Sequence, residues 1–204
     1  EQLWQEEGQN ALDYLHWRGL QDQTLKAWRI GYNPTAGYGV PSEWGWEDGE
    51  KFAIPKGIVI PCQDGSGLHY LKIRQSQGEP RYLNLRGGHA RPFGLDTFRN
   101  AMTALLFEGE FDALLAMQTG LGIGFASLPA GQPIRSEYAH YFENVDEVII
   151  CYDNDPRGEV EAARLARIPG FRAAGRLPEG KDLTEFFLQG GDVFEWVNAQ
   201  LGGL

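Results

Sequence analysis

The fold is decided by the stretch EVIICYDNDPRGEVEAARLARI, residues 147–168. Its first six residues form the most β-prone run of the chain and predict a buried strand. Residues 158–168 have the apolar spacing of an amphipathic helix. Two aspartates, Asp153 and Asp155, lie between these elements. A strand, an acidic turn and a helix in this order are typical of a parallel α/β sheet.

The same alternation continues on both sides of this stretch. Three further strands are predicted, at residues 104–107, 123–127 and 172–177. The helices predicted with them cover residues 111–120, 134–142, 183–187 and 192–201. Parallel strands separated by helices are joined by right-handed crossovers. The second half of the chain is therefore predicted to be an α/β domain with about four parallel strands and flanking helices.

The first half has a different pattern. Helices are predicted at residues 3–15 and 21–28, followed by an irregular surface segment over residues 35–55. Residues 57–74 predict two strands joined by a turn at residues 64–67. We expect a smaller mixed α+β subdomain here. The predicted domains are residues 1–100 and residues 101–204.

The charge of the chain is distributed unevenly. The net charge of −10 over 204 residues by itself argues against a nucleic-acid-binding protein. Residues 51–99, however, carry 8 basic and 3 acidic side chains, whereas the segments before and after them are acidic. A basic segment inside an acidic protein is predicted to contact nucleic acid, with a solvated charged face as the alternative.

Cysteine content and hydropathy exclude several classes of protein. The two cysteines, Cys62 and Cys151, are too few for a disulfide scaffold or a four-cysteine zinc site. No apolar run is long enough to span a membrane. We expect a protein of the reducing cytoplasm that has no zinc in this chain and no membrane partner. The first residues indicate a cut within a longer protein.

Five carboxylates follow the predicted strands of the second half. They are Glu108, Asp112, Asp153, Asp155 and Asp182. The carboxyl ends of parallel strands meet at one edge of the sheet, so these side chains are expected to lie together. Like charges about 4 Å apart repel by roughly 1–4 kcal/mol, and a hard divalent cation removes that cost. Oxygen ligands alone indicate Mg²⁺ or Mn²⁺.

Each of these features also has a purely structural interpretation. An Asp-x-Asp before a helix is often a turn with an N-cap, and Asp182 could cap the helix after it. Arg18 could be a helix C-terminal residue that the helix dipole favours.

Gly109 and Gly158 have a functional interpretation. They are interpreted as positions where a metal-bound triphosphate approaches the backbone closely.

Two segments resemble the signatures of the TOPRIM domain: LLFEGEFDALLAM at residues 105–117 and YDNDPRG at residues 152–158. The similarity continues from about residue 11 to about residue 190 and is specific to DnaG-type primase cores. The segments that carry it are YLHWRGLQDQTLKAWRIGYNP (14–34), GIVIPCQDGSGLHYLKIR (57–74), PRYLN (80–84), PFGLD (92–96), SLPAG (127–131) and LPEGKDLTEF (177–186). The resemblance implies a Rossmann-like TOPRIM domain preceded by the smaller basic subdomain.

The resemblance also implies roles for individual residues. Glu108, Asp153 and Asp155 are the expected catalytic and metal-binding residues, and Asp112 and Asp182 are expected to support the metal. Template or nucleotide contacts are implied for Arg18, Arg74 and Arg81, with Tyr82 and Asn84 beside them. We expect further contacts of this kind from Lys72, Arg86, Arg91 and Lys181, and base stacking on Tyr70 and Tyr82.

The chain departs from the family pattern at three places. Arg81 stands where the family usually has lysine, and Thr184 stands where it has a second acidic residue. A further family lysine has no counterpart, and Arg86, His89 or Arg91 could substitute for it.

The function that the resemblance implies is template-directed synthesis of short RNA primers on single-stranded DNA. The expected cofactors are two Mg²⁺ or Mn²⁺ ions, and the expected substrates are ribonucleoside triphosphates. A replicative helicase and a zinc-binding domain outside this chain are the expected partners. Two alternatives are kept: a TOPRIM nuclease or strand-cleaving enzyme, and a non-catalytic module that binds nucleic acid.

Overall fold

The computed structural model describes residues 1–45, 49–89, 91–128 and 136–202. The chain forms two compact units. The first comprises Glu1–Trp17 together with residues 22–90, and the second comprises Arg18–Gln21 together with residues 91–204. The division at residue 100 that the sequence predicts stays a prediction. Within the described residues, no helix has the length and hydropathy needed to cross a bilayer.

The first unit is built on an antiparallel sheet. Its strands are β1 (Gly31–Asn33), β2 (Gly37–Gly39), β3 (Phe52–Ile54), β4 (Gly57–Asp64), β5 (Gly67–Arg74) and β6 (Tyr82–Asn84). Its helices are α1 (Gln9–Trp17) and α2 (Asp22–Ala27), with 3₁₀ turns at Gln2–Trp4, Glu6–Gly8 and Pro41–Trp44. The main sheet has the order β1-β4-β5-β6, and β2 pairs with β3 in a separate ribbon. The predicted hairpin of β4 and β5 is confirmed.

The second unit is built on a parallel sheet. Its strands are β7 (Thr103–Phe107), β8 (Gly124–Ser127), β9 (Glu147–Cys151) and β10 (Phe171–Ala173). Its helices are α3 (Glu110–Met117), α4 (Pro156–Leu165), α5 (Leu183–Leu188) and α6 (Val193–Gln200), with 3₁₀ turns at Leu95–Phe98 and Ser136–Phe142. The strand order is β10-β9-β7-β8, and all three pairings are parallel. The predicted four-stranded parallel α/β sheet is confirmed.

The core of the second unit lies on both faces of this sheet. Residues 104–107 of β7 are all buried, as expected for a strand that is covered on both sides. Ala104 and Leu106 share a cluster with Phe98, Phe142 and Leu165. Because packing on both faces fixes the position of β7, the residues that directly follow this strand also have fixed positions.

Several predicted boundaries in the first unit are wrong. The predicted helix at residues 3–15 begins only at Gln9, because the residues before it form two 3₁₀ turns, Gln2–Trp4 and Glu6–Gly8. Gly8 permits this fold, since an added Cβ would lie 2.3 Å from the carbonyl oxygen of Gln2. The segment predicted to be irregular, residues 35–55, contains the β2–β3 ribbon.

In the second unit two predicted elements differ. The strand predicted at residues 172–177 is shorter, because the Gly175 amide donates to Oε1 of Gln200 at 2.7 Å rather than to a neighbouring strand. The predicted helix at 134–142 is a 3₁₀ turn from Ser136, and residues 134 and 135 lie outside the described residues.

The segment Arg18–Gln21 belongs to the second unit because of Gln118, which follows α3. Its side-chain amide donates to the carbonyl of Gly19 at 2.9 Å and accepts from the amide of Gln21 at 2.7 Å. These bonds bring Arg18 into the second unit.

Gly158 is required by the protein backbone. A Cβ at this position would lie 2.2 Å from the carbonyl oxygen of Asp153. The Gly158 amide also donates to Oδ1 of Asp155 at 2.8 Å, which makes Asp155 the N-cap of α4. The glycine therefore lets the acidic turn fold back onto the helix, and this explains it without a bound triphosphate.

We predict that Gly158→Ala lowers the free energy of unfolding by roughly 2 kcal/mol, since the Asp153 backbone must move to admit the methyl group. Gly122→Ala is the matched control, because no atom lies within 4 Å of the added methyl group. Urea unfolding of both variants measures the difference. Equal, small losses in the two variants would contradict the backbone explanation.

A second prediction concerns Asp64 in the turn between β4 and β5. Burial raises its pKa, but hydrogen bonds from Ser66 and His69 outweigh burial and lower the pKa to about 2. The stability that this carboxylate contributes is therefore present above its unfolded pKa and lost as the pH falls toward 2. Asp64→Asn is expected to destabilise the protein by about 1–2 kcal/mol at pH 7, and this difference should shrink between pH 4 and pH 2. Thermal unfolding across this range measures it, and a constant difference would contradict the prediction.

Candidate active site

Glu108 and Asp153 follow adjacent strands at the point where the strand order reverses. The chain runs from β7 to β8 on one side and then returns to β9 on the other side of β7. Phe107 and Cys151 are register partners at the ends of β7 and β9. Ligands of open α/β sheets bind at such a switch point, outside the carboxyl ends of the strands. The structure therefore places both carboxylates at the expected edge.

The carboxylates at this edge influence one another. The pKa of Glu108 is raised, mainly by burial and then by the negative charge of Asp153. The pKa of Asp153 is raised by burial and by the charges of Asp182 and Asp155, against the opposing effect of Lys181. These effects show that a concentration of negative charge has formed at this edge.

Lys181 occupies the space between the two aspartates of the acidic turn. Its ammonium Nζ lies 3.2 Å from Oδ2 of Asp153 and 3.1 Å from Oδ2 of Asp155. The pKa of Lys181 is raised, first by its hydrogen bond to Asp155. The pKa of Asp155 is lowered, first by the amide of Gly158 and then by Lys181. One positive charge is thus shared by both carboxylates.

Asn154 fixes the loop that carries Lys181. Its side-chain amide donates to the carbonyls of Leu177 and Gly180 at 3.1 and 3.3 Å. Its backbone amide donates to the carbonyl of Lys181 at 2.6 Å. The middle residue of the Asp-x-Asp turn therefore joins the turn to residues 177–181. The sequence analysis missed this role, since only the flanking aspartates carried a chemical signal.

Asp112 is directed toward Arg18 and Thr184. The residue is 8% exposed, and Oδ1 accepts from the Thr184 amide at 3.1 Å and from the Thr184 hydroxyl at 2.8 Å. Arg18 lies 3.6 Å from the same oxygen. Burial and then the charge of Asp182 raise the pKa of Asp112 to about 6, although Arg18 and Thr184 act in the opposite direction. The metal role predicted for Asp112 stays a prediction.

Asp182 caps α5, which is the structural interpretation that the sequence also allows for this residue. Its Oδ1 accepts from the amide of Glu185 at 2.8 Å. It also lines, with Asp112 and Asp153, a cavity of about 210 Å³ between β9, α4 and residues 173–177. Capping uses one oxygen of the carboxylate, so the cap and a role at the cavity are compatible.

The donor set at this edge suits Mg²⁺ or Mn²⁺ in chemistry. The described residues hold no group of three or more His, Cys, Asp or Glu side chains that is close enough to bind a metal in this arrangement. The position shared by Asp153 and Asp155, however, already holds a cation, the ammonium of Lys181. Carboxylate oxygens that converge on one positive charge are the kind of ligand these metals take. Asp153 and Asp155 therefore suit a divalent ion in the chemistry of their oxygen donors.

The predicted nucleic-acid contacts in the first unit centre on Tyr82. The guanidinium of Arg74 lies 4.2 Å from the ring centroid of Tyr14 and 5.9 Å from that of Tyr82, and Nζ of Lys72 lies 5.7 Å from the Tyr82 ring. Lys72 is only 1% exposed and Tyr70 is 6% exposed. Both residues are buried in this arrangement, and the template contact expected of Lys72 and the base stacking expected of Tyr70 stay predictions.

The remaining predicted contacts are separate from this group. Arg81 donates to the carbonyls of Gln75 and Ser76, at 3.4 and 2.6 Å, and so holds its own loop. Asn84 and Arg86 are exposed. Arg91 belongs to the second unit, where its guanidinium lies 5.0 Å from the ring centroid of Tyr141. Their roles at a nucleic acid stay predictions.

Comparison with known proteins shows similarity in sequence and in fold. Residues 105–187 match the Toprim-like family. A DNA primase of Geobacillus stearothermophilus is 28% identical over 92% of this chain, which spans 37% of that protein's length. The E. coli primase catalytic core superimposes with a TM-score of 0.76 at 21% identity, covering 98% of this chain and 75% of that one.

A DnaG primase catalytic domain bound to ssDNA superimposes with a TM-score of 0.73 at 21% identity. The superposition covers 98% of this chain and 76% of that protein's chain. The resemblance to DnaG-type cores that the sequence predicts is confirmed. The chain is thus similar in sequence to bacterial DNA primases, has the fold of the DnaG catalytic core, and matches the Toprim-like family at residues 105–187.

Proposed function

We propose that this chain is the catalytic core of a DNA primase and synthesises short RNA primers on single-stranded DNA. The observation that carries the proposal is the pair Asp153 and Asp155, which converge on one positive charge at the switch point of the sheet. Support comes from the DNA primases that match about nine-tenths of the chain. The chain spans little more than a third of those proteins, so the activity belongs to this proposal.

Glu108, Asp153 and Asp155 are the residues that would hold divalent ions, with Asp182 beside them. When bound, two such ions supply the acidity of a ribonucleotide 3′-hydroxyl and neutralise the departing pyrophosphate. The carboxylates would orient the reacting groups at the sheet edge, and no histidine is needed to move a proton there.

Lys181 has a second role in this proposal. Its side chain is 49% exposed and is held by Asp153 and Asp155 only while no other cation occupies their shared position. Once displaced, its ammonium would remain beside the site and would bind the phosphates of the incoming nucleotide. This use of Lys181 agrees with the nucleotide contact that the sequence predicts.

The template contacts are assigned to the basic residues of the first unit. Tyr82 is partly exposed and lies beside Arg74, so it offers an aromatic ring and a positive charge together. Single-stranded nucleic acids bind such combinations through stacked bases and phosphate contacts. Arg81, Asn84 and Arg86 would extend this contact, whereas Lys72 would first have to leave its buried position. Arg91 is proposed as a nucleic-acid contact of the second unit. We further propose a zinc-binding domain and a replicative helicase as partners, in the cytoplasm.

One assay separates this proposal from its alternatives. The protein is incubated with single-stranded DNA, ribonucleotides and Mg²⁺ or Mn²⁺. New oligoribonucleotides support primer synthesis, cut DNA supports a TOPRIM nuclease, and bound but unchanged DNA supports a non-catalytic module.

We predict that Asp153→Asn lowers primer synthesis by roughly 100-fold or more, since an amide is a poor ligand for a divalent ion and several kcal/mol of charge stabilisation are lost. Glu143→Gln is the control. Glu143 is exposed, directly follows the 3₁₀ turn Ser136–Phe142, and is distant from the acidic turn in sequence. Primer yield per unit time is the measurement. Synthesis within twofold of the parent in Asp153→Asn would contradict the assignment.

We also predict that Arg74→Met weakens binding to single-stranded DNA about fivefold and reduces the slope of affinity against salt by about 0.7, as expected for one lost phosphate contact. Arg167→Met is the control, since Arg167 is an exposed arginine in the acidic half of the chain. Fluorescence anisotropy at several salt concentrations measures both quantities. Equal effects of the two substitutions would show that only net charge matters.

A further inference from the structure

We propose that Arg18, Asp112 and Thr184 form a positioning cluster that holds the start of α5 against α3 and thereby sets the place of Lys181 and Asp182 beside the acidic turn. The proposal concerns contacts among buried side chains of the second unit. It rests on the proposed function only in treating the acidic turn as part of an active site. Its tests do not require primer synthesis.

The first step is the orientation of Asp112. One carboxylate oxygen accepts two hydrogen bonds from Thr184, one from the backbone amide and one from the hydroxyl. A buried carboxylate must be satisfied in this way, because a charge left without partners is costly. Asp112 on α3 is thus bonded directly to the first turn of α5.

The second step is the double use of the Thr184 hydroxyl. It donates to Asp112 at 2.8 Å and accepts from Nη2 of Arg18 at 2.6 Å. A hydroxyl can donate once and accept as well, so both bonds can exist together. The guanidinium also lies 5.3 Å from the ring centroid of Phe111. The three side chains therefore fix one another's positions.

The third step concerns residue 184 itself. Its backbone amide and its hydroxyl both lie within hydrogen-bond distance of the Asp112 carboxylate. A carboxylate at position 184 would place a second negative charge directly beside the buried carboxylate of Asp112. Threonine supplies a hydrogen-bond donor instead, and Thr184 is only 3% exposed. The Thr184 side chain therefore binds the carboxylate of Asp112 on α3. Of Asp182 and Thr184, Asp182 is the residue whose side chain would contribute a carboxylate to the candidate site.

The fourth step connects the cluster to the acidic turn. Lys181 and Asp182 immediately precede α5, and the carbonyl of Lys181 accepts from the Asn154 amide at 2.6 Å. The loop 177–182 is therefore held by Asn154 on one side and by the cluster on the other. Loss of the Thr184 hydroxyl bonds is expected to weaken the hydrogen bond from the Asn154 amide to Lys181. The effect would be indirect, since no hydrogen bond among the described residues joins a side chain of the cluster to Asn154.

The first test is amide hydrogen exchange in the full chain. Thr184→Val removes both hydroxyl bonds at nearly constant volume, and Thr184→Ser keeps them. We expect exchange at the Asn154 amide to be about tenfold faster in Thr184→Val and within twofold of the parent in Thr184→Ser. Faster exchange confined to residues 184 and 185 would show a merely local role and would overturn the proposal.

The second test separates positioning from metal binding and does not depend on Thr184→Val folding. Asparagine at position 112 can still accept the Thr184 bonds but is a poor ligand for a cation. We expect Mn²⁺ titration by calorimetry to give an affinity within threefold of the parent for Asp112→Asn and at least about tenfold weaker for Asp153→Asn. Equal losses in the two variants would show that Asp112 is a ligand and would overturn the proposal.

The two tests also distinguish this proposal from the proposed function. If the parent makes no primers, the proposed function fails, but the exchange at Asn154 still decides whether the cluster positions the loop. If primers are made and Asn154 is unaffected by Thr184→Val, only the positioning proposal fails.

Discussion

The site depends on the repulsion between Asp153 and Asp155 and on the cation that removes it. The two carboxylates face one position, and the ammonium of Lys181 fills it at 3.2 and 3.1 Å. Without a positive charge at that position, the partly buried Asp153 would face both Asp155 and Glu108 uncompensated. The parallel sheet, the close approach at Gly158 and the bonds of Asn154 all hold the acidic turn in this arrangement.

This constraint also explains the charge pattern of the chain. Part of the negative charge that seems to exclude nucleic acid is concentrated at an edge that requires a cation. Most basic residues of the first half lie in a different unit, where Arg74 and Tyr82 combine charge with an aromatic ring. A net charge of −10 is therefore compatible with the proposed function, in which phosphates and divalent ions would meet at one acidic edge.

The sequence predicted the parallel sheet and the edge because both follow from local signals. The apolar strands and the residues after them, such as Glu108 and Asp153, can be read from periodicity and chain order. It did not predict that Asp112 faces Thr184 and Arg18, or that Asn154 holds the loop before α5. Those contacts join residues 72 and more positions apart, or use side chains with no charge to attract notice. Gly158 was identified correctly as a close approach, but its partner is the backbone of Asp153.

The most direct test is a crystal of the protein soaked in Mn²⁺, with the anomalous difference map calculated at the manganese edge. The account predicts a peak bonded to oxygens of Asp153 and Asp155, with Glu108 beside it and the ammonium of Lys181 moved away from both aspartates. A map with no peak at this edge, with Lys181 still between the two carboxylates at a saturating Mn²⁺ concentration, would contradict it.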